Sequence, residues 1–204
     1  MNTTNTTFKL ILPFLSENLP QASNIVIGCS GGADSTALTI LLATYSEKIN
    51  INIKLVYVNH NLRDIQQIND EKKYVKNLAI KYGLKFGSTE ITNDEFKNNH
   101  NGSVENTARI LRFNKLADEA KRFDTKNIFL GHTATDKAET ILFNIIRGTG
   151  LKGLEGIKNF TTKNINKKRK YKIKRNIIYK NPMKIIKKNE KQIILNYYFY
   201  FRIQ

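Results

Sequence analysis

The chain has 204 residues, 40% of them hydrophobic and 25% charged; that is room for one ordinary domain, or one with a tail, and it excludes wholesale disorder. No apolar run reaches the roughly 18 residues a membrane-spanning helix needs, and the single cysteine, Cys29, excludes an internal disulfide framework, a cysteine-ligated zinc site and a CxxC pair. Against 34 Lys and Arg stand 17 Asp and Glu, a net charge of +17, which favours a polyanionic partner.

In chain order, Asn24 to Cys29 (NIVIGC) is a short apolar run ending in a turn, hence a buried strand. Asp34 to Ser46 is helical, with Ala37, Leu38, Leu41 and Leu42 at helical spacing. Ile51 to Asn59 is a second strand. Asp64 to Tyr82 is a helix with Tyr74, Val75, Leu78, Ala79 and Tyr82 on one face, closed by Gly83. Leu84 to Ile91 is a weaker strand, and Asn93 to Gly102 is polar and loop-like. Ser103 to Phe123 is a helix with Ser103 as its N-cap. Asn127 to Gly131 is a fourth strand, and Thr135 to Arg147 a further helix. Alternating strands and helices predict an α/β fold, a doubly wound, mostly parallel Rossmann-like sheet. Composition shifts near Lys158, so residues 1–157 are expected to form the main domain. Residues 158–204 are expected to form a basic, aromatic-ended extension packed on it, a strand or hairpin followed by a helix.

The sharpest local feature is Ser30-Gly31-Gly32-Ala33-Asp34-Ser35, between the first strand and the first helix. Paired glycines allow positive φ and close backbone approach. The following helix aims its first amides, with their partial positive charge, at whatever fills the turn. A phosphate is the natural occupant. The loop is neither a Walker A sequence nor a GxGxxG fingerprint. Asp34 caps the helix or holds magnesium.

Other clusters fall where an open sheet places its crevice. His60 and Arg63 follow the second strand in VNHNLR. Glu105, Arg109 and Arg112 share one helical face, as a surface ion pair or as an arginine over a phosphate. His132 follows the fourth strand. Asp136 and Glu139 open the next helix, as dipole partners, magnesium ligands or a seat for an ammonium group.

The string SGGADS is similar to the SGGxDS signature of the N-type ATP pyrophosphatases. VNHNLR resembles the VDHGLR stretch of tRNA(Ile)-lysidine synthases, and GSVENTARILRF their GSxExxAR-x-x-R-Y/F pattern. GHTATDKAET…RGTG resembles their HHxDDQAET…RGSG, with Thr133 and Thr135 replacing a His and an Asp. The resemblance covers about Asn24 to Gly156. After that the family's Arg-Pro-Leu-Leu is met only by Asn181-Pro182-Met183-Lys184.

The resemblance implies an adenine nucleotide alpha hydrolase-like (PP-loop) fold and the adenylation of C2 of a wobble cytidine in tRNA(Ile) with a CAU anticodon. L-lysine would then displace AMP. ATP and Mg2+ would be the cofactors. Ser30, Gly31, Gly32, Ala33, Asp34, Ser35 and His60 would bind the nucleotide. Asp34, Arg109, Asp136 and Glu139 would be catalytic, and Asp34 and Asp136 would hold the metal. Another adenylating tRNA enzyme, such as a thiolase, and a non-catalytic RNA-binding relative are the alternatives. No membrane partner is expected, and a homodimer is left open. Residues 1–15 lack a secretory signal pattern. The richness in Asn, Lys and Ile suggests an AT-rich genome, hence a plastid or the cytoplasm of such a bacterium.

Overall fold

The computed structural model describes residues 9, 12, 13, 15, 22–99, 103–131, 160–164 and 176–180. Strand β1 (Ser23–Gly28) leads into helix α1 (Ala33–Thr44), then β2 (Ile51–Asn59), α2 (Ile65–Lys81) and β3 (Lys85–Glu90). Helices α3 (Asn93–Asn99) and α4 (Val104–Arg122) precede β4 (Asn127–Leu130). Strands β5 (Phe160–Asn164) and β6 (Asn176–Lys180) complete one six-stranded sheet, ordered β3-β2-β1-β4-β6-β5. All neighbours are parallel except the β5–β6 hairpin. The fold is α/β, as the alternation of elements predicts.

The sheet is covered on both faces, because successive side chains along each strand alternate between two cores. Ile25, Ile27, Ile53, Leu55 and Phe129 pack with Leu38, Leu41, Val75 and Leu78 of α1 and α2. Val26, Val56, Val58, Ile128 and Leu130 pack with Leu111, Phe113, Leu116 and Ala120 of α4. Val75, Leu78 and Ala79 are buried, as the periodicity of α2 predicts, while Tyr74 and Tyr82 are partly buried against the same core.

Three helix starts are set by side chains. Asp64 Oδ1 accepts from Gln67 N at 2.9 Å at the start of α2. Ser103 Oγ accepts from Asn106 N at 3.1 Å, as its N-cap role requires. The stretch from Asn93, expected as a loop, is helical over Asn93–Asn99. The reason is a reciprocal cap: Thr92 Oγ1 accepts from Glu95 N at 3.2 Å, and Glu95 Oε2 accepts from Thr92 N at 3.0 Å. Lys115 then ties α3 to α4 through Glu95 at 2.7 Å. The helix expected over Thr135 to Arg147 and the one expected after the hairpin lie outside the described residues.

Candidate active site

The turn between β1 and α1 is built around one hydroxyl. Ser35 Oγ accepts from Ser30 N at 3.3 Å and donates to the Gly32 carbonyl at 3.0 Å. Thr39 Oγ1 donates to the Ser35 carbonyl at 2.8 Å. Gly31 has φ +82°, the left-handed region in which a side chain is strained. Helix α1 starts from Gly32, with no side chain capping it. The capping alternative for Asp34 is thereby removed, since Asp34 lies inside the first turn. The first amides of α1 stand at the carboxyl end of the sheet with no side-chain cap, an arrangement suited to an anion.

The turn forms one wall of a cleft of about 320 Å³. Ser30, Gly32, Ala33, Asp34 and Ser35 line it together with His60 and Arg112. Gly28, Val56, Val58, Leu116, Leu130 and Gly131 make its apolar floor. The end of β4 has to come very close to α1. A β-carbon at Gly131 would stand 2.7 Å from Ser35 N and 2.8 Å from Ser35 Cα, and only glycine fits there.

His60 is placed by its neighbours. Asn59 Oδ1 accepts from Asn61 N at 2.9 Å, and Asn61 Nδ2 donates to the Ile91 carbonyl at 2.9 Å. Asn61 itself has φ +52°. It occupies the glycine position of the VDHGLR pattern, and asparagine is among the few residues that tolerate such a φ. Burial, then the charges of Arg112 and Arg63, lower the His60 pKa to about 4, so the ring is neutral at pH 7. Its Nδ1 is buried without a hydrogen-bond partner, and so is Nε of Arg112. Burial, reinforced by Arg109, also lowers the Arg112 pKa. Two buried polar nitrogens without partners at a cleft facing uncapped amides are what an absent anionic or nucleotide ligand would leave.

Arg109 and Arg112 of α4 divide. Arg112 lines the cleft, while Arg109 is exposed, its guanidinium 5.6 Å from the Phe113 ring centre. Arg63 pairs with Glu71 of α2. Asp136, Glu139 and His132 lie outside the described residues. Among the described residues no group of three or more His, Cys, Asp or Glu could hold a metal ion. Among the described residues Asp34 is the carboxylate lining the cleft, and magnesium commonly takes one or two protein carboxylates together with substrate phosphates.

A family model described as the PP-loop domain matches residues 4–194. The chain belongs to the PP-loop family. Within it, the chain is 38% identical over 138 residues to the tRNA(Ile)-lysidine synthase of Clostridium tetani, covering 68% of this chain and 29% of that protein. It is 35% identical over 150 residues to the enzyme of the same name from Clostridioides difficile, covering 73% of this chain and 32% of that one. The chain thus spans about a third of the length of these curated relatives.

Among solved structures, the fold is similar to that of the U34-tRNA thiolase NcsA of Methanococcus maripaludis with its [4Fe-4S] cluster. It has a TM-score of 0.68 at 20% identity, covering 95% of this chain and 63% of that one. The NH3-dependent NAD synthetase of Campylobacter jejuni matches with a TM-score of 0.56 at 15% identity, covering 96% and 72%. These two likenesses concern the fold alone.

Two features of the PP-loop site are not assigned by the sequence alone. Gly131 was visible only as a glycine after a strand, since its need for a bare backbone comes from α1 packing across it. Arg112 shares its helical face with Arg109, and spacing alone does not say which of them faces the cleft.

Proposed function

We propose that this chain carries the catalytic PP-loop domain of a tRNA(Ile)-lysidine synthase. Lysine would be joined to C2 of the wobble cytidine of tRNA(Ile) with a CAU anticodon, at the expense of ATP. The observation that carries the reading is the cleft itself. An uncapped helix start and two unpartnered nitrogens line a cleft of about 320 Å³, and a left-handed glycine shapes the turn beside it. The relatives named tRNA(Ile)-lysidine synthase supply the reaction.

In this reading Ser30, Gly31, Gly32, Ala33, Asp34 and Ser35 cradle the polyphosphate, and neutral His60 offers Nδ1 to the nucleotide. The cytidine O2 attacks the α-phosphorus and pyrophosphate leaves. The lysine amine then adds at C2, loses a proton, and AMP departs with the oxygen. Arg112 lies in the cleft with donors to spare, so it is placed to neutralise charge growing on the α-phosphate. Arg109, outside the cleft lining, steadies the activated cytidine. Asp34 and Asp136 would hold Mg2+, which screens the phosphate charge, and Glu139 would receive the lysine ammonium. The target base must leave its stack to reach the cleft. Residues 1–157 would be the catalytic unit, with the basic stretch after it meeting RNA phosphates. The bacterial relatives favour the cytoplasm of an AT-rich bacterium over a plastid.

The thiolase reading has the NcsA fold likeness in its favour. Against it, Cys29 is 3% exposed and burial raises its pKa, which suits a packing residue and not a sulfur carrier. The deciding assay combines the protein with ATP, Mg2+, CAU-anticodon tRNA and labelled lysine. Label in the tRNA with release of pyrophosphate is the expected result. RNA binding without pyrophosphate release would establish a non-catalytic relative instead.

A further inference from the structure

One polar cluster at the crevice end has no part in the chemistry above. Tyr57 of β2 is 3% exposed, and its hydroxyl donates to Glu71 Oε2 at 3.0 Å. The other carboxylate oxygen, Oε1, accepts from Arg63 Nη1. Three pieces of chain therefore meet at one carboxylate: β2, the connection after it, and α2. The Glu71 stem also backs the phosphate loop, because a β-carbon on Gly31 would lie 3.9 Å from both Cβ and Cγ of Glu71. One turn on, the Tyr74 hydroxyl donates to Thr36 Oγ1 at 3.5 Å, and Thr36 Oγ1 donates to the Gly31 carbonyl at 3.5 Å.

An exposed Arg–Glu pair normally contributes little, because two long side chains must both be immobilised. Here the two partners differ. The Glu71 side chain is 26% exposed and is held from below by a buried tyrosine, whereas the Arg63 side chain is 62% exposed. The carboxylate is the fixed member and the guanidinium the held one. A carboxylate this close to a phosphate loop would by itself repel an anionic ligand, and Arg63 cancels that charge. Of the five N–H donors of a guanidinium, the pair with Glu71 engages Nη1. Arg63 also acts on a residue of the cleft, as one of the two cations that disfavour protonation of His60.

The geometry points to Glu71 as a positioning residue that, braced by Tyr57, holds the Arg63 guanidinium beside the phosphate loop as a preorganised partner for the polyphosphate of the bound nucleotide. The inference rests on the reading of the cleft as an ATP site.

The test titrates α,β-methylene-ATP with Mg2+ into the wild type, R63A, E71Q and the E71Q/R63A double variant at fixed low salt, with thermal melts alongside. R63A is expected to weaken binding about tenfold, the scale of one partly exposed charge-assisted contact. E71Q is expected to weaken it about three- to fivefold, and the double variant to bind no worse than R63A, since Glu71 acts through Arg63. In pyrophosphate release, KM for ATP rises with these losses while kcat is kept. Y57F shows a smaller loss that likewise vanishes in the R63A background, and it carries the test if E71Q does not fold. Undiminished affinity in E71Q, or a loss of equal size with and without Arg63, overturns the inference. A wild type that does not bind the analogue overturns the ATP reading itself.

Discussion

Helix α4 draws two charged side chains into the protein seven residues apart, and it treats them differently. Glu119 is 5% exposed and fully answered, by Lys54 at 2.8 Å and Arg122 at 2.5 Å. Arg112 lines the cleft with its Nε buried and unpartnered and another cation, Arg109, reinforcing the cost of its charge. Burying a charge costs stability unless it is paired. The Glu119 end of α4 meets that cost inside the fold. The Arg112 end leaves it for a ligand to meet, and the neighbouring His60 likewise keeps a buried nitrogen without a partner. One helix thus joins a structural ion-pair network to a site whose electrostatics are completed only by an anion.

The largest effect expected from this contrast is at Arg112. Arg112→Ala should slow pyrophosphate release about 10²- to 10³-fold, the scale seen when a preorganised electrostatic donor is removed. It should leave the thermal midpoint unchanged or raise it, because an uncompensated buried charge is lost. A large fall in midpoint with turnover intact would place Arg112 in the structural class and erase the contrast.

Glu119→Ala should do the reverse. Removing the shared carboxylate strands Lys54 against the sheet. Because Lys54 keeps a route to water and Arg122 is exposed, the loss should be about 2–3 kcal/mol, below that of a fully sealed pair. Denaturant unfolding measures it, and KM for ATP at a temperature where the variant is folded should match the wild type. A variant that is stable but fails to bind nucleotide would show that the two ends of α4 are not separable.

Which parts of this arrangement could be read from the residues follows from the range of the interactions. The strand, glycine pair and helix of the phosphate loop are contiguous in sequence, and so are Ser103 and its capped amide. All of these were legible. The start of α3 is also local, but Thr92 and Glu95 sit in a stretch so polar that composition alone predicts a loop. Everything decided across the fold was hidden. The choice of Arg112 over Arg109 depends on how Phe113 and Leu116 seat α4 on the sheet. The bare backbone at Gly131 answers α1, almost a hundred residues earlier. The burial of Glu119 depends on Lys54 arriving from β2, and the bracing of Arg63 on a tyrosine beneath it.

The smallest effect lies at His60, and its sign follows from which state binds protons more readily. The folded pKa is about 4 against 6.5 for the free side chain, so between these values the unfolded chain takes up a proton that the folded chain refuses. His60 therefore contributes no penalty above pH 7, and stability falls as the pH drops through 6.5 toward 4. The loss between pH 7 and pH 5 should be about 1–2 kcal/mol, read by denaturant unfolding at each pH. His60→Gln should flatten that part of the profile. Saturating nucleotide sharpens the contrast with Glu119 further. An anion beside Arg112 and His60 offsets the positive field that opposes protonation, so the bound protein should lose less stability on acidification than the free one. An unaltered slope in the His60→Gln variant would mean that the ring is protonated within the folded cleft, and that Arg112 does not set its charge.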